Sequence, residues 1–489
     1  MDDETVNSPS GFLKQMLGEL PIETAVRDYE AWWEAEGKDI STTVDQKGTP
    51  WLKMFDVMGN RVDEILFPDS YWKMLKKGYQ AGTVWRGLEG GSLLPAYMLG
   101  YITAFYDTGL YCPYTVSLST AIPLSKYGDE ETKARFLPRM LLKDGNAWQG
   151  ATWMTEAGGG SDLGATVETV AQLEGERWVL NGEKYFASNA GADLAVVAAR
   201  RSGAPSSVRG LSLFLLPRRR EDGSLNYQIR RLKDKIGTRS VPTGEVELRE
   251  SEAYLLGNPE QGIYLILEVL NISRVANCVG SVALTQRAIS EAHAFARSRV
   301  AFGKPILEHP LLRRQFAERV SLLEGAFALT WEAVKLLDEI WREIPPYSER
   351  YHLFRLVAHL AKYWTAELAV QTAKWAMEVH GGMGVLAEYG VERWLREAMI
   401  LPIWEGTPHR QILDGLEVME RKHAHELLFR HLASHANPQA LEDTAGQVEA
   451  LLALPQDERE AQAEAVFREL AAFTAGTLQL KLASLPVSK

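Results

Sequence analysis

Between Ile263 and His380 the chain carries three helix-period stretches, 263–299, 311–344 and 351–380, each about thirty residues long with few internal breakers. A helix of that length runs for roughly 45 Å. It can bury an apolar stripe along its whole length only against neighbours of similar length, so these stretches predict a helical bundle. Gly381-Gly382 follows the third stretch and predicts its end through a left-handed cap.

Residues from about 147 to 256 read differently. Short β-rich runs at 177–180, 194–199, 211–216 and 245–248 are separated by Gly, Asn, Asp and Pro. The connections are too short for crossover helices, which favours an antiparallel sandwich or barrel over a parallel, doubly wound sheet. Up to Asn146 the pattern is helical, for example over 24–36 and 129–142, with breaks at Gly90-Gly91 and Gly109. The stretch 127–138 places acids in a first turn and basic residues later, which complements a helix dipole. The expected fold class is therefore α+β multidomain: an N-terminal all-α domain (1–146), a middle antiparallel β domain (147–256), a C-terminal helical bundle (257–420) and a helical extension (421–489).

At 489 residues each of these parts is large enough to bury a core. The net charge of −11 argues against a nucleic-acid footprint and against anionic membrane surfaces. Two cysteines, Cys112 and Cys278, make no disulfide framework and read as packed thiols in a reducing compartment. The acidic start, Met1-Asp-Asp-Glu4, is unlike a secretory signal, and no run of about 18 apolar residues is evident. The expectation is a cytoplasmic protein with no membrane association.

The loop Gly158-Gly-Gly-Ser-Asp-Leu-Gly164 lacks the Lys-Ser/Thr of a phosphate loop and the spacing of a dinucleotide fingerprint. Read from its residues, it is either a plain turn or a bare surface whose N–H groups can lie against a flat ring or a thioester tail. Trp153 and Phe186, taken singly, are ordinary core aromatics. Glu405, in Leu401-Pro-Ile-Trp-Glu-Gly-Thr-Pro-His409, is taken singly a surface acid.

Together and in this order, Met154-Thr-Glu-Ala-Gly-Gly-Gly-Ser-Asp162 and the Glu405 segment resemble the acyl-CoA dehydrogenases, over roughly residues 90 to 420 and with the same α-β-α order. The resemblance implies an FAD enzyme forming a trans-2-enoyl thioester from acyl-CoA, with Glu405 as the base for the α-proton and flavin N5 as hydride acceptor. It implies that Thr152, Trp153, Met154 and Thr155 meet the isoalloxazine edge, and that Ser161 faces both cofactor and acyl-CoA. Lys184-Tyr-Phe-Ala-Ser-Asn189 looks like the family's aromatic-x-Thr segment, which puts Phe186 against the flavin and Ser188 at its N5 side. Arg299-Val-Ala-Phe-Gly-Lys-Pro305 resembles the segment that sends Arg299 to the FAD pyrophosphate of a neighbouring subunit and Phe302 to the adenine half. Glu378-Val-His-Gly-Gly-Met-Gly384 resembles the next FAD segment, with close approach at Gly381 and Gly382. Thr407 and His409 match FAD-contacting positions beyond the base. The thioester carbonyl would be polarised at Glu405-Gly406, and binding of acyl-CoA is expected to desolvate Glu405 and raise its proton affinity. Shared FAD sites imply a homodimer or homotetramer, with an electron-transfer flavoprotein as electron acceptor.

Three departures from the family pattern are visible: Glu378 and His409 where Gln is usual, and Ser188 where Thr is usual. Glu378 is either an FAD contact or a solvated helix-end acid. Branches that carry their base before an arginine would have it at Ser273, in Asn271-Ile-Ser-Arg274, and a serine cannot serve. Arg274 is then a substrate contact, a positioning residue or a structural one. Segments 109–115 and 232–240, with Trp404, resemble the AidB-like branch, whose members are associated with DNA through a basic C-terminal region. Residues 421–489 here carry 7 Lys/Arg against 9 Asp/Glu, which gives little counterion-release drive. An oxidase or flavin monooxygenase of the same fold is the other alternative, although it has no need of an α-proton base. His423, His425, His431 and His435 lie in this tail without the Cys or His-Glu-x-x-His pattern of a metal site, and read as solvated or packing residues.

Overall fold

A computed structural model describes residues 6–483. They divide into two compact units, one from Ala31 to Ser273 and one made of Val6 to Glu30 with Arg274 to Ala483.

The first unit joins helices to a closed sheet. Leu94–Tyr106 and Thr108–Tyr127 are almost entirely buried, and the second starts at Asp107, whose carboxylate accepts from Leu110 N at 2.8 Å. Glu130–Met140 carries the acids of its first turn and Arg139 in its last, under an Asp129 cap. A hairpin of β1 (Trp51–Phe55) and β2 (Arg61–Leu66) interrupts the region expected to be all-helical. Its alternation was masked because apolar and polar residues are mixed on both of its half-exposed faces.

The sheet contains β3 (Thr152–Trp153), β4 (Val170–Glu174), β5 (Arg177–Ser188), β6 (Leu194–Arg201), β7 (Leu211–Pro217), β8 (Gln228–Leu232) and β9 (Thr243–Leu256). Pairing runs β6-β4-β5-β9-β7 and returns from β7 to β6, which closes a five-stranded barrel with β3 and β8 as added strands. Most pairs are antiparallel as expected, but β3–β6 and β4–β6 are parallel. The barrel core holds Leu180, Val197, Phe214, Leu216, Ile229 and Val246. Both β6 and β7 are buried along most of their length, which explains why they read as unbroken apolar runs.

The second unit is the bundle. Its long helices are the portion of Gly262–Ser298 from Arg274 onward, Pro310–Ile340 and Glu349–His380, all within a few residues of the predicted stretches. Pro408–Lys422 packs on Glu349–His380, and the extension adds Ala424–Leu432, Pro438–Leu452 and Gln456–Ala483. Pro9–Leu17 joins the same unit, with Phe12 edge-on to Phe327 at 5.2 Å. Gly381 ends the third helix at φ +60°, ψ −138°, a positive φ as expected but outside the left-handed helical region. Pro259–Ser298 contains a stretch apolar enough by composition to cross a membrane, contrary to the sequence reading; 89% of that stretch is buried within the protein.

Candidate functional site

In the first unit the two motifs of the β domain are brought side by side. Tyr185 N donates to Thr155 O at 3.0 Å, and Trp153 Nε1 donates to Ser188 O at 2.9 Å, so segment 152–156 runs beside the end of β5. The hydroxyl residues Thr152, Thr155 and Ser188 are half-buried, and the Phe186 ring is 57% exposed next to Tyr185 and the Lys233 ammonium. The Trp153 indole is 1% exposed, packs in the barrel core and lies edge-on to Tyr227 at 5.0 Å, and the Met154 side chain is also buried.

The loop beyond is anchored by a residue pair that local sequence did not reveal. Glu156 is buried and accepts from Lys184 Nζ at 2.6 Å, Thr169 Oγ1 at 2.6 Å and Glu168 N at 2.7 Å. Lys184 also donates to Ala198 O at 2.8 Å. This pinned acid leaves Ala157 to Asp162 facing outward, with Ser161 exposed and Asp162 capping Leu163–Thr166.

In the second unit Arg299 lies exposed where Gly262–Ser298 gives way to the β10 (Val300–Ala301) and β11 (Lys304–Pro305) hairpin. Phe302, at its tip, has φ +50° and a 97% exposed ring, an arrangement that intramolecular packing does not favour. Glu378 is exposed and paired with Lys374. Gly381 and Gly382 are bare: a Cβ at either would meet no protein atom within 4 Å. Thr407 caps Pro408–Lys422, and His409 is exposed in its first turn.

Glu405 occupies the most constrained position. It has φ +58° and is followed by Gly406 at φ +102°, in a turn held through its carbonyls. Asn277 Nδ2 donates to Leu401 O at 3.1 Å, and Lys362 Nζ to Pro402 O at 2.8 Å and Gly406 O at 2.6 Å. Arg274 Nε donates to Glu405 O at 3.1 Å, and Gln411 Nε2 to Glu405 O at 3.2 Å and Gly406 O at 3.0 Å. Trp404 Nε1 returns to Asn277 Oδ1 at 2.6 Å. Glu405 as a residue is partly exposed, yet its Oε2 is cut off from solvent and has no hydrogen-bond partner among the described residues. Burial lifts the carboxyl to about 7 against the opposing charges of Arg274 and Lys362.

Arg274 takes part in holding this turn. It is buried, and its guanidinium serves Glu405 O and Asp414 Oδ2, the latter at 3.3 Å. Lys362, Gln411, Asn277 and His359 were missed from sequence. The available signal was His359 and Lys362, two polar residues three apart on an otherwise apolar helix face.

Comparison with known proteins agrees with these features. Residues 151–251 match the acyl-CoA dehydrogenase middle domain, 260–419 its C-terminal domain, and 30–144 the N-terminal domain of the adaptive response protein AidB. Acyl-CoA dehydrogenase family member 11 of Caenorhabditis elegans is 32% identical over 76% of the chain, a match that spans only 63% of that relative's length. The putative acyl-CoA dehydrogenase AidB of Escherichia coli is 30% identical over 76% of the chain and 70% of its own length. Among solved structures, Bd2924 in its apo form superposes with a TM-score of 0.87 at 27% identity, covering 99% of this chain and 98% of its own. The Caenorhabditis elegans ACDH-11 complex with C11-CoA gives 0.85 at 25% identity, covering 99% and 90%. With its middle and C-terminal domains both matched, and a relative 30% identical over 70% of that relative's length, the chain belongs to the acyl-CoA dehydrogenase family.

Proposed function

We propose that this protein is an FAD-dependent dehydrogenase that converts an acyl-CoA thioester into its trans-2-enoyl form, with Glu405 removing the α-proton. The observation that carries this reading is the buried, unpartnered Oε2 of Glu405, whose proton affinity already lies near neutrality. The groups available for a flavin fit that cofactor: an exposed aromatic face at Phe186, half-buried hydroxyls at Thr152, Thr155 and Ser188, and open glycines at Gly381 and Gly382. When bound, FAD supplies the acceptor for the β-hydride. Arg299 and Phe302 would hold the pyrophosphate and adenine portions of the FAD of a neighbouring subunit, with Thr407 and His409 as further FAD contacts, while Glu378 remains a helix-end acid paired with Lys374. Ser161 and the backbone at Gly406 would meet the thioester.

The test is Glu405→Gln. The variant should retain FAD, and its flavin should lose anaerobic bleaching by a panel of short-, medium- and long-chain acyl-CoA by about 100-fold or more. Bleaching at the parent rate would remove Glu405 from this role. The same panel reports the preferred chain, and turnover with electron-transfer flavoprotein against oxygen separates a dehydrogenase from an oxidase. The acyl-CoA-bound ACDH-11 structure supports the substrate class.

A second reading, which rests on the resemblance to the AidB-like branch and its association with DNA, is a DNA-associated flavoprotein with weak dehydrogenase activity. The excess of acids in 421–489 opposes it. A gel shift that weakens steeply with salt would support it, and absence of any shift at low salt would exclude it.

A further inference from the structure

The carbonyls of Leu401, Pro402, Glu405 and Gly406 are all gripped by side chains, and Lys362 holds both ends of the turn, reaching Pro402 O on one side of Glu405 and Gly406 O on the other. It is wholly buried within Glu349–His380. An ammonium out of water is unfavourable unless its charge is used. Its bonds to the turn go to backbone oxygens, and Glu405 Oε2 accepts none from any described residue. The cation therefore acts on the carboxylate through space and leaves its oxygen unsolvated.

We propose that Lys362 is a positioning residue for the base, fixing the turn that presents Glu405 and, with Arg274, supplying the positive field that keeps an unsolvated carboxylate ionised. The inference rests on Glu405 being the base. The surrounding charges are consistent with it. Burial pushes the His359 imidazole down to about 3 and the Cys278 thiol up to about 12, so both stand neutral. Burial would raise Asp414, but the guanidinium groups of Arg274 and Arg410 hold it below the usual range. Arg355 acts on this cluster through Arg274 and His359. Among these groups Arg274 and Lys362 are the cations that act on Glu405. Burial draws Lys362 itself down to about 7.

The experiment compares Lys362→Met, Lys362→Gln and Lys362→Arg, each with and without Glu405→Gln, as FAD-loaded protein. Two readouts are taken: the acid limb of kcat/KM, and the pH dependence of the Tm difference between each background and its Glu405→Gln partner, which needs no turnover. Lys362→Met should move both upward by about one pH unit and lower kcat about tenfold, with KM within about threefold. Lys362→Arg should hold the limb within about 0.3 unit of the parent. If Lys362→Met does not fold, Lys362→Gln, which keeps an N–H donor but no charge, should show the same upward shift. An unmoved limb in the neutral variants, or an equal shift in Lys362→Arg, overturns the proposal. Undiminished bleaching by Glu405→Gln in the parent background instead overturns the base assignment, whatever the Lys362 variants do.

Discussion

A left-handed residue other than glycine is held against roughly 1–3 kcal/mol of strain and persists where its surroundings over-determine it. Glu405 meets that condition, because four side chains from three helices bind the carbonyls of its turn. Gly406 is required by the same geometry: at φ +102°, an added Cβ would approach Gln411 Nε2 to 2.6 Å. Gly406→Ala should therefore release Gln411 from the turn and lower kcat about tenfold or more while FAD is retained, as flavin absorbance and single-turnover bleaching will show. On the proposed role of Glu405, the ionised carboxylate of the free enzyme is the active form, so kcat/KM should rise with pH toward a plateau along a limb near pH 7. The stability consequence has the opposite slope. The folded-state affinity of Glu405 is raised from 4.5, so its contribution is fully present below pH 4.5 and is lost as pH rises through 7. Glu405→Gln should abolish this loss, and its stability advantage over the parent in denaturant unfolding should grow between those pH values, by an amount on the order of 3 kcal/mol before local relaxation.

Elements were legible where periodicity is local. The stretch 351–380 corresponds to Glu349–His380, and 194–199 and 211–216 became β6 and β7. What the strands pair with was not legible: β6 joins β4 in parallel and β7 antiparallel, contacts set by barrel closure and not by any run of residues. The Glu156–Lys184 pair belongs to this class of hidden information, since it ties the Gly-rich loop to β5 from inside the barrel. Both charges are buried, so removing one strands the other. Lys184→Met should destabilise the protein by about 3 kcal/mol in denaturant unfolding, and adding Glu156→Gln should recover part of that loss, which a pair of independent surface charges would not do.

At the scale of the whole molecule, the extension is part of the bundle. Gln456–Ala483 buries Phe467 and Leu470, and Gln479 Nε2 donates to Glu324 at 3.0 Å. Glu332 accepts from His431 Nε2 at 2.6 Å and faces Lys481 Nζ at 3.4 Å. Burial alone would raise Glu332, but those two partners bring it down to about 2. Its contribution to stability is therefore present above pH 4.5 and is lost as pH falls through 2. Glu332→Gln should loosen the extension first, seen at pH 7 as faster hydrogen exchange in 456–483 than in the rest of the bundle; uniform exchange would contradict this docking. His431 was read from sequence as a packing or solvated residue, and it serves here as a partner for a carboxylate 99 positions away in the chain.

Local preferences alone determined the helices and most of the strands, because backbone conformation and hydrophobic period are properties of neighbours in the chain, whereas the strained turn that carries Glu405 is held by side chains from three separate helices. Only the tertiary structure decided that Trp153 turns inward, that Arg274 serves the turn's backbone, and that Glu405 stands desolvated between two cations. Burial and charge act through space. The groups that set them for Glu405 come from positions 274 and 362, and no local pattern says that either will act on residue 405.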